Sequence, residues 1–209
     1  MPTKPRLKIW ISPKASPELK KFKPALRKLG DVHEDYMQAD GWQDYSFWYG
    51  ERTHIGFLAA AVWLTRGTAL EEYGTKKSRG KKHGRCDLFV RTKRGDPGFE
   101  CESKRAWIDL AKRTETCLRE LERTLDLAFD DVTRVYSGKG LGLCFAAIEN
   151  SKVLPEQVLQ KRLDALISEI ERKRMCDALV WIPKPSIRSM TVRKFKRQVG
   201  LLLTIREKR

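Results

Sequence analysis

A chain of 209 residues with 43 lysines and arginines against 27 aspartates and glutamates carries a formal net charge of +16, which points toward a polyanionic partner such as nucleic acid. With 41% hydrophobic residues it can bury a full core, and one domain with a terminal extension is the economical organisation. The apolar run Ile55–Leu64 falls short of the roughly 18 to 20 residues of a membrane helix, and the first residues lack a signal-peptide apolar segment. A cytoplasmic protein is expected.

The cysteines at 86, 101, 117, 144 and 176 form no C-x-x-C pair and fall mostly within apolar segments. They read as small buried residues in a reducing compartment. His33, His54 and His83 are scattered without metal-ligand spacing.

In chain order, residues 1 to 50 read as an irregular extension rich in proline, lysine and aromatic residues, so the boundary is drawn at 1–49 and 50–209. Its rings between Asp40 and Tyr49 could stack bases, although packing of the arm onto the domain is the favoured reading. From Glu51 to about Tyr73 the apolar positions Ile55, Leu58, Ala59, Val62 and Trp63 predict a helix stopped by Gly74. A basic loop follows, with Lys76, Lys77, Arg79, Lys81, Lys82 and Arg85. The next segment, Gly84–Val90, is an apolar strand containing Asp87.

Gly95-Asp96-Pro97-Gly98 signals a turn, and the strands on either side of it, ending at Val90 and starting at Phe99, should pair antiparallel. A helix is predicted from about Ile108 to Phe129, a buried strand over Gly140–Ile148 and a helix from Pro155 to about Arg174. Further strands are expected over Ala178–Pro183 and Leu201–Ile205. Alternating helices and strands of this kind indicate an α/β sandwich.

The chemistry concentrates in Asp87 and in Glu100-Cys101-Glu102-Ser103-Lys104. Side chains on a strand alternate with period two, so Glu100, Glu102 and Lys104 share one face. A hairpin would bring Asp87, fifteen residues before Glu102, alongside them. Two carboxylates and a lysine so placed could hold a divalent metal against a phosphate.

This arrangement resembles the PD-(D/E)xK nuclease superfamily, on Asp87 for the motif's aspartate, Glu102 for its second acid and Lys104 for its lysine. Gly50-Glu51-Arg52 is similar to the opening of the first core helix in branches such as the Holliday-junction resolvases. Cys86 stands where the motif's loosely kept proline would be. The resemblance covers about residues 50 to 150 and implies a restriction-endonuclease-like αβββαβ core, a mixed sheet flanked by helices.

It further implies a metal-dependent endonuclease in which Asp87, Glu102 and Glu51 hold Mg²⁺ or Mn²⁺. Lys104 would orient or help deprotonate the attacking water. Glu71 and Glu72 are the competing helix acids, but in a continuous helix they would lie about 30 Å from Glu51. DNA is the expected substrate ahead of RNA. Lys76, Lys77, Arg79, Lys81, Lys82, Arg85 and the C-terminal Arg188, Arg193, Lys194, Lys196 and Arg197 would supply backbone contacts.

Two alternatives stay open: a catalytically inactive nucleic-acid-binding subunit of the same fold, and a basic ribosome-associated scaffold. Either form could be a homodimer or part of a larger assembly.

Overall fold

A computed structural model describes residues 7–41, 44–76, 83–133, 139–152, 154–184 and 198–208. In order, the elements are β1 (Lys8–Ile11), α1 (Pro17–Lys21), α2 (Lys23–Ala39), a 3₁₀ turn (Ser46–Trp48), α3 (Glu51–Leu64), β2 (Thr68–Lys76), β3 (His83–Arg91), β4 (Phe99–Asp109), α4 (Thr114–Thr133), β5 (Gly140–Glu149), α5 (Glu156–Lys173), β6 (Ala178–Pro183) and β7 (Gln198–Lys208). The seven strands form one mixed sheet in the order β1-β6-β7-β5-β4-β3-β2. Among the described residues only β4 and β5 pair in parallel, with α4 as their crossover.

Two apolar layers cover the sheet. On one side, α2 and α3 pack Leu26, Leu29, Ile55, Leu58 and Val62 against Leu88, Val90, Cys101, Leu143 and Phe145. On the other, α4 and α5 pack Leu121, Leu125, Leu163 and Ile167 against Ala106, Ile108, Cys144, Ala146 and Ile148. Burial on both faces explains why β5 reads as an unbroken apolar run. The same alternation sorts β4: even positions, including Glu100, Glu102 and Lys104, lie on the α4 side, and odd positions, including Ser103, Arg105 and Trp107, on the α3 side.

Three expectations change. The segment read as irregular carries a strand and two helices, and Leu19, Leu26, Leu29 and Met37 enter the same core as α3. Ser16 caps α1 by accepting from the Leu19 N–H, and α2 tolerates Pro24 because it falls in the first turn. The helix expected to reach Tyr73 ends at Leu64, where Arg66 adopts φ +65. Gly67 follows in a space where a Cβ would stand 2.6 Å from the Arg91 carbonyl oxygen. Residues 68–76 are therefore strand, which supplies a third strand before α4.

Ile108 and Asp109, read as a helix start, instead extend β4 opposite Ile148 and Glu149. Asp109 ends the strand by accepting from the Ala111 and Ser151 amides.

Gly142, paired with Glu102, sets how closely α4 approaches the sheet. A Cβ there would stand 2.8 Å from the Phe129 nitrogen and 2.9 Å from its Cα, and a helix backbone cannot yield as a side chain can. Gly142→Ala should therefore cost about 1–3 kcal/mol, read as a lower denaturant midpoint. An unchanged midpoint would show that α4 moves freely on the sheet.

Candidate active site

The central feature is a parting of two paired strands. β3 and β4 pair through Val90–Phe99, Phe89–Glu100 and Leu88–Cys101, and the pairing stops at Asp87. There the Asp87 side chain takes over, its Oδ2 accepting from the Ser103 N–H at 2.8 Å. On its other edge, β3 pairs Leu88 with Glu71 and Cys86 with Tyr73, and Glu72 between them is irregular, with φ +48. The sheet is thus distorted on both sides of Asp87.

Glu51 is the first residue of α3 and follows Gly50, which offers no side-chain cap. A carboxylate is favoured there by the helix dipole. Burial nonetheless pushes the Glu51 carboxyl up, the nearby Ser103 hydroxyl partly offsets this, and the charges of Asp87 and Asp131 raise it further while Lys104 lowers it. The Ser103 Oγ itself makes no hydrogen bond within normal limits, so its influence is that of a close dipole.

Lys104 pairs with Asp131 on α4 at 2.7 Å. Burial alone would lower the Lys104 ammonium, but the Asp131 contact and the charges of Glu51 and Asp87 outweigh it, leaving the group above its ordinary value. Glu51, Asp87 and Lys104, from three separate elements, are therefore electrostatic neighbours.

Glu102 is buried, at 5% exposure, on the α4 side of β4. Glu100 beside it accepts a 2.7 Å hydrogen bond from the Tyr73 hydroxyl. Burial, and then this bond, hold the Tyr73 phenol far above its ordinary value. Among the described residues no group of three or more His, Cys, Asp or Glu side chains is gathered closely enough to hold a metal ion. The oxygen donors suit Mg²⁺ or Mn²⁺ in kind and neighbourhood, while ligating spacing would require Glu51, Asp87 and Glu102 to draw together.

Of the competing acids, Glu72 is otherwise engaged. Glu72 joins two arginines, Arg52 of α3 at 3.1 Å and Arg85 of β3 at 2.9 Å. Glu71, on β2, lies with its carboxylate toward Gly56. Arg85, expected as a backbone contact, thus spends its guanidinium on Glu72. Lys76 ends β2, and Lys77, Arg79, Lys81 and Lys82 lie outside the described residues, as do Arg188, Arg193, Lys194, Lys196 and Arg197.

Sequence reasoning missed Asp131 and Tyr73, and it placed Ser103 at the site only as a possible carbonyl ligand, not through its amide and hydroxyl. Asp131 had a legible signal: Asp130-Asp131 sits in the last turn of α4 with no basic residue, where the helix dipole disfavours acids. Tyr73 and Ser103 gave none, because their roles depend on how β2, β3 and β4 are spaced.

No family of known proteins matches the chain, and neither a curated protein nor a solved structure shows detectable similarity to it.

The Glu51 shift predicts a pH dependence. Its folded-state value lies above the unfolded one, so the stabilisation it contributes is present at low pH and lost as pH rises through the folded value. Glu51→Gln should therefore be more resistant to urea than the native chain near neutral pH. The advantage should vanish below the ordinary carboxylate range, about pH 4. An advantage that is equal at both pH values would show that Glu51 is not the group penalised.

Proposed function

We propose that the chain is a metal-dependent nuclease that hydrolyses DNA phosphodiester bonds on a restriction-endonuclease-like core. The observation that carries this reading is the Ser103 amide bonded to Asp87 where β3 leaves β4, with Glu51 and Lys104 close enough to feel the Asp87 charge. The element order α3-β2-β3-β4-α4-β5 supports it, being the αβββαβ order that the PD-(D/E)xK resemblance implies. The net charge of +16 supports a nucleic-acid substrate independently of the site. DNA in place of RNA rests on the resemblance alone.

In this reading Asp87, Glu102 and Glu51 would hold Mg²⁺ or Mn²⁺, which when bound supplies charge neutralisation at the phosphoryl oxygens and a more acidic water. The Ser103 amide fixes the Asp87 carboxylate in direction. Lys104, kept protonated by Asp131, is a poor base at neutral pH, so its work is to donate hydrogen bonds to the attacking water or phosphate and to offset developing negative charge. The raised Glu51 carboxyl marks a site that gains by receiving a cation.

A second reading, a nucleic-acid-binding subunit of the same fold without catalysis, is favoured by one observation: the acids do not stand at ligating spacing.

Incubation of plasmid, single-stranded DNA, branched DNA and RNA with Mg²⁺ or Mn²⁺ separates the two. Asp87→Asn and Lys104→Ala should each lower cleavage by about 10²–10⁴-fold while leaving affinity largely intact, because surface cations supply backbone attraction. Neutralising Lys76, Lys77, Lys81 and Lys82 together should weaken binding and flatten its salt dependence, each duplex phosphate contact contributing about 0.9 to the log-log slope. Cleavage that survives Asp87→Asn rules out this site, and native protein that binds without cutting establishes the second reading.

A further inference from the structure

We propose that Arg105 is a positioning residue that holds the start of α3, and with it Glu51, against the strand carrying Glu102 and Lys104. The proposal rests on the nuclease reading for what Glu51 does there, though not for how Arg105 holds it.

The helix α3 is anchored unevenly. Its buried residues begin at His54, about 5 Å along the axis from Glu51, and Gly50 gives the first turn no side-chain cap. The ion pair of Arg52 with Glu72 is a weak tether, because the Arg52 side chain is 83% exposed. Helix ends fray, and fraying of this turn would carry Glu51 away from Asp87 and Lys104.

The restraint comes from the turn before the helix. Arg105 Nη2 donates to the Trp48 carbonyl at 2.8 Å and to the Phe47 carbonyl at 3.4 Å. Both lie at the C-terminal end of the 3₁₀ turn, where carbonyls lack partners within the turn itself. Only Tyr49 and Gly50 stand between the bonded Trp48 carbonyl and Glu51. At the strand end, Arg105 follows Lys104 directly, with the two side chains on opposite faces. The guanidinium is steadied over the Trp107 ring, 4.1 Å from its centroid, and Trp107 in turn meets Trp48 edge to face. One side chain and two residues therefore connect Lys104 to Glu51.

This contact is costly to the fold. Burial pulls the Arg105 guanidinium below its ordinary value, with no carboxylate among the described residues to offset it, and the buried Nε finds no acceptor there. A packed apolar side chain would cost less. What arginine adds is a planar fork that reaches two carbonyls while it stacks on an indole. The return is placement of the helix start.

The test compares Arg105→Met, which keeps the length without the donors, and Arg105→Lys, which keeps the charge without the fork. In EDTA, amide hydrogen exchange over residues 49–54 should quicken about tenfold or more in Arg105→Met, the loss of one charge-assisted hydrogen bond. Exchange over β5 should stay native. Mn²⁺ binding, followed by the electron paramagnetic resonance of the free ion, should weaken about 10- to 100-fold, as when an outer support of a metal ligand is removed. Cleavage by Arg105→Met should approach the native rate once Mn²⁺ saturates, because Arg105 touches neither metal nor phosphate in this reading.

Native exchange over 49–54 in Arg105→Met overturns the proposal, and so does equal quickening over β5, which marks a general loss of stability. Full native behaviour in Arg105→Lys also overturns it, since charge alone would then suffice. If Arg105→Met fails to fold, Arg105→Gln, which can still donate to one carbonyl, takes its place with the same readings. Failure of the nuclease reading looks different: the native protein binds no Mn²⁺ and cuts nothing, and the exchange measurement in EDTA still decides whether Arg105 holds the start of α3.

Discussion

The hydrogen bond from the Ser103 amide to the Asp87 carboxylate is the constraint on which the site depends. Had β3 and β4 continued their ladder beyond Leu88 and Cys101, Asp87 would face Glu102 directly on one side of the sheet. Two carboxylates so opposed repel each other. Parting the strands relieves that repulsion, but leaves an amide of β4 without its ladder partner, a costly condition for a buried group. The Asp87 side chain satisfies that amide. One carboxylate thus both ends the pairing and holds the gap at a defined width, and the gap is where Glu51 reaches the sheet.

Such a gap has to be supported from outside, and ion pairs do so. Glu72, displaced from regular pairing opposite Asp87, ties Arg52 at the start of α3 to Arg85 on β3. Lys104 ties β4 to the end of α4 through Asp131. Exposed ion pairs contribute little stability, so the value of these contacts lies in orientation: each connects an element that brings a site residue to one that frames it. Burying Glu51 near Asp87 and Asp131 remains unfavourable, and a fold under selection for stability alone would have placed an apolar or neutral residue there.

The parts of this arrangement that depend on local pattern were legible in the sequence. Period-two alternation put Glu100, Glu102 and Lys104 on one face, and Gly95-Asp96-Pro97-Gly98 paired the two strands. What depends on competition between local and distant contacts was not legible. Residues 68–76 include Glu71 and Glu72, good helix formers, and continue an apolar pattern from α3; only the pairing with β3 shows that Arg66 and Gly67 end the helix. The helical spacing of Leu26, Leu29, His33 and Met37 was present in the extension but hidden among prolines and lysines. Asp131 was overlooked because the predicted helix stopped at Phe129, two residues short of it. The favoured packing role for the N-terminal rings holds for Tyr45 and Phe47, both buried, and in part for Trp48, which meets Trp107 of β4 edge to face while staying partly exposed.

Alternation along β4 has a last consequence. Consecutive residues Glu102, Ser103, Lys104 and Arg105 address opposite sides of the sheet, two toward α4 and two toward α3. In an unbroken sheet no single ligand could meet both sets, because the backbone of β3 would lie between them. With β3 drawn aside at Asp87, Glu51 and Ser103 from the α3 side come within electrostatic reach of Lys104 and Asp131 from the α4 side. Arg105 and Trp107 continue the α3 side along the same strand, and Trp48 of the 3₁₀ turn meets the Trp107 ring there. The parting of the strands therefore turns a two-sided strand into a one-sided site.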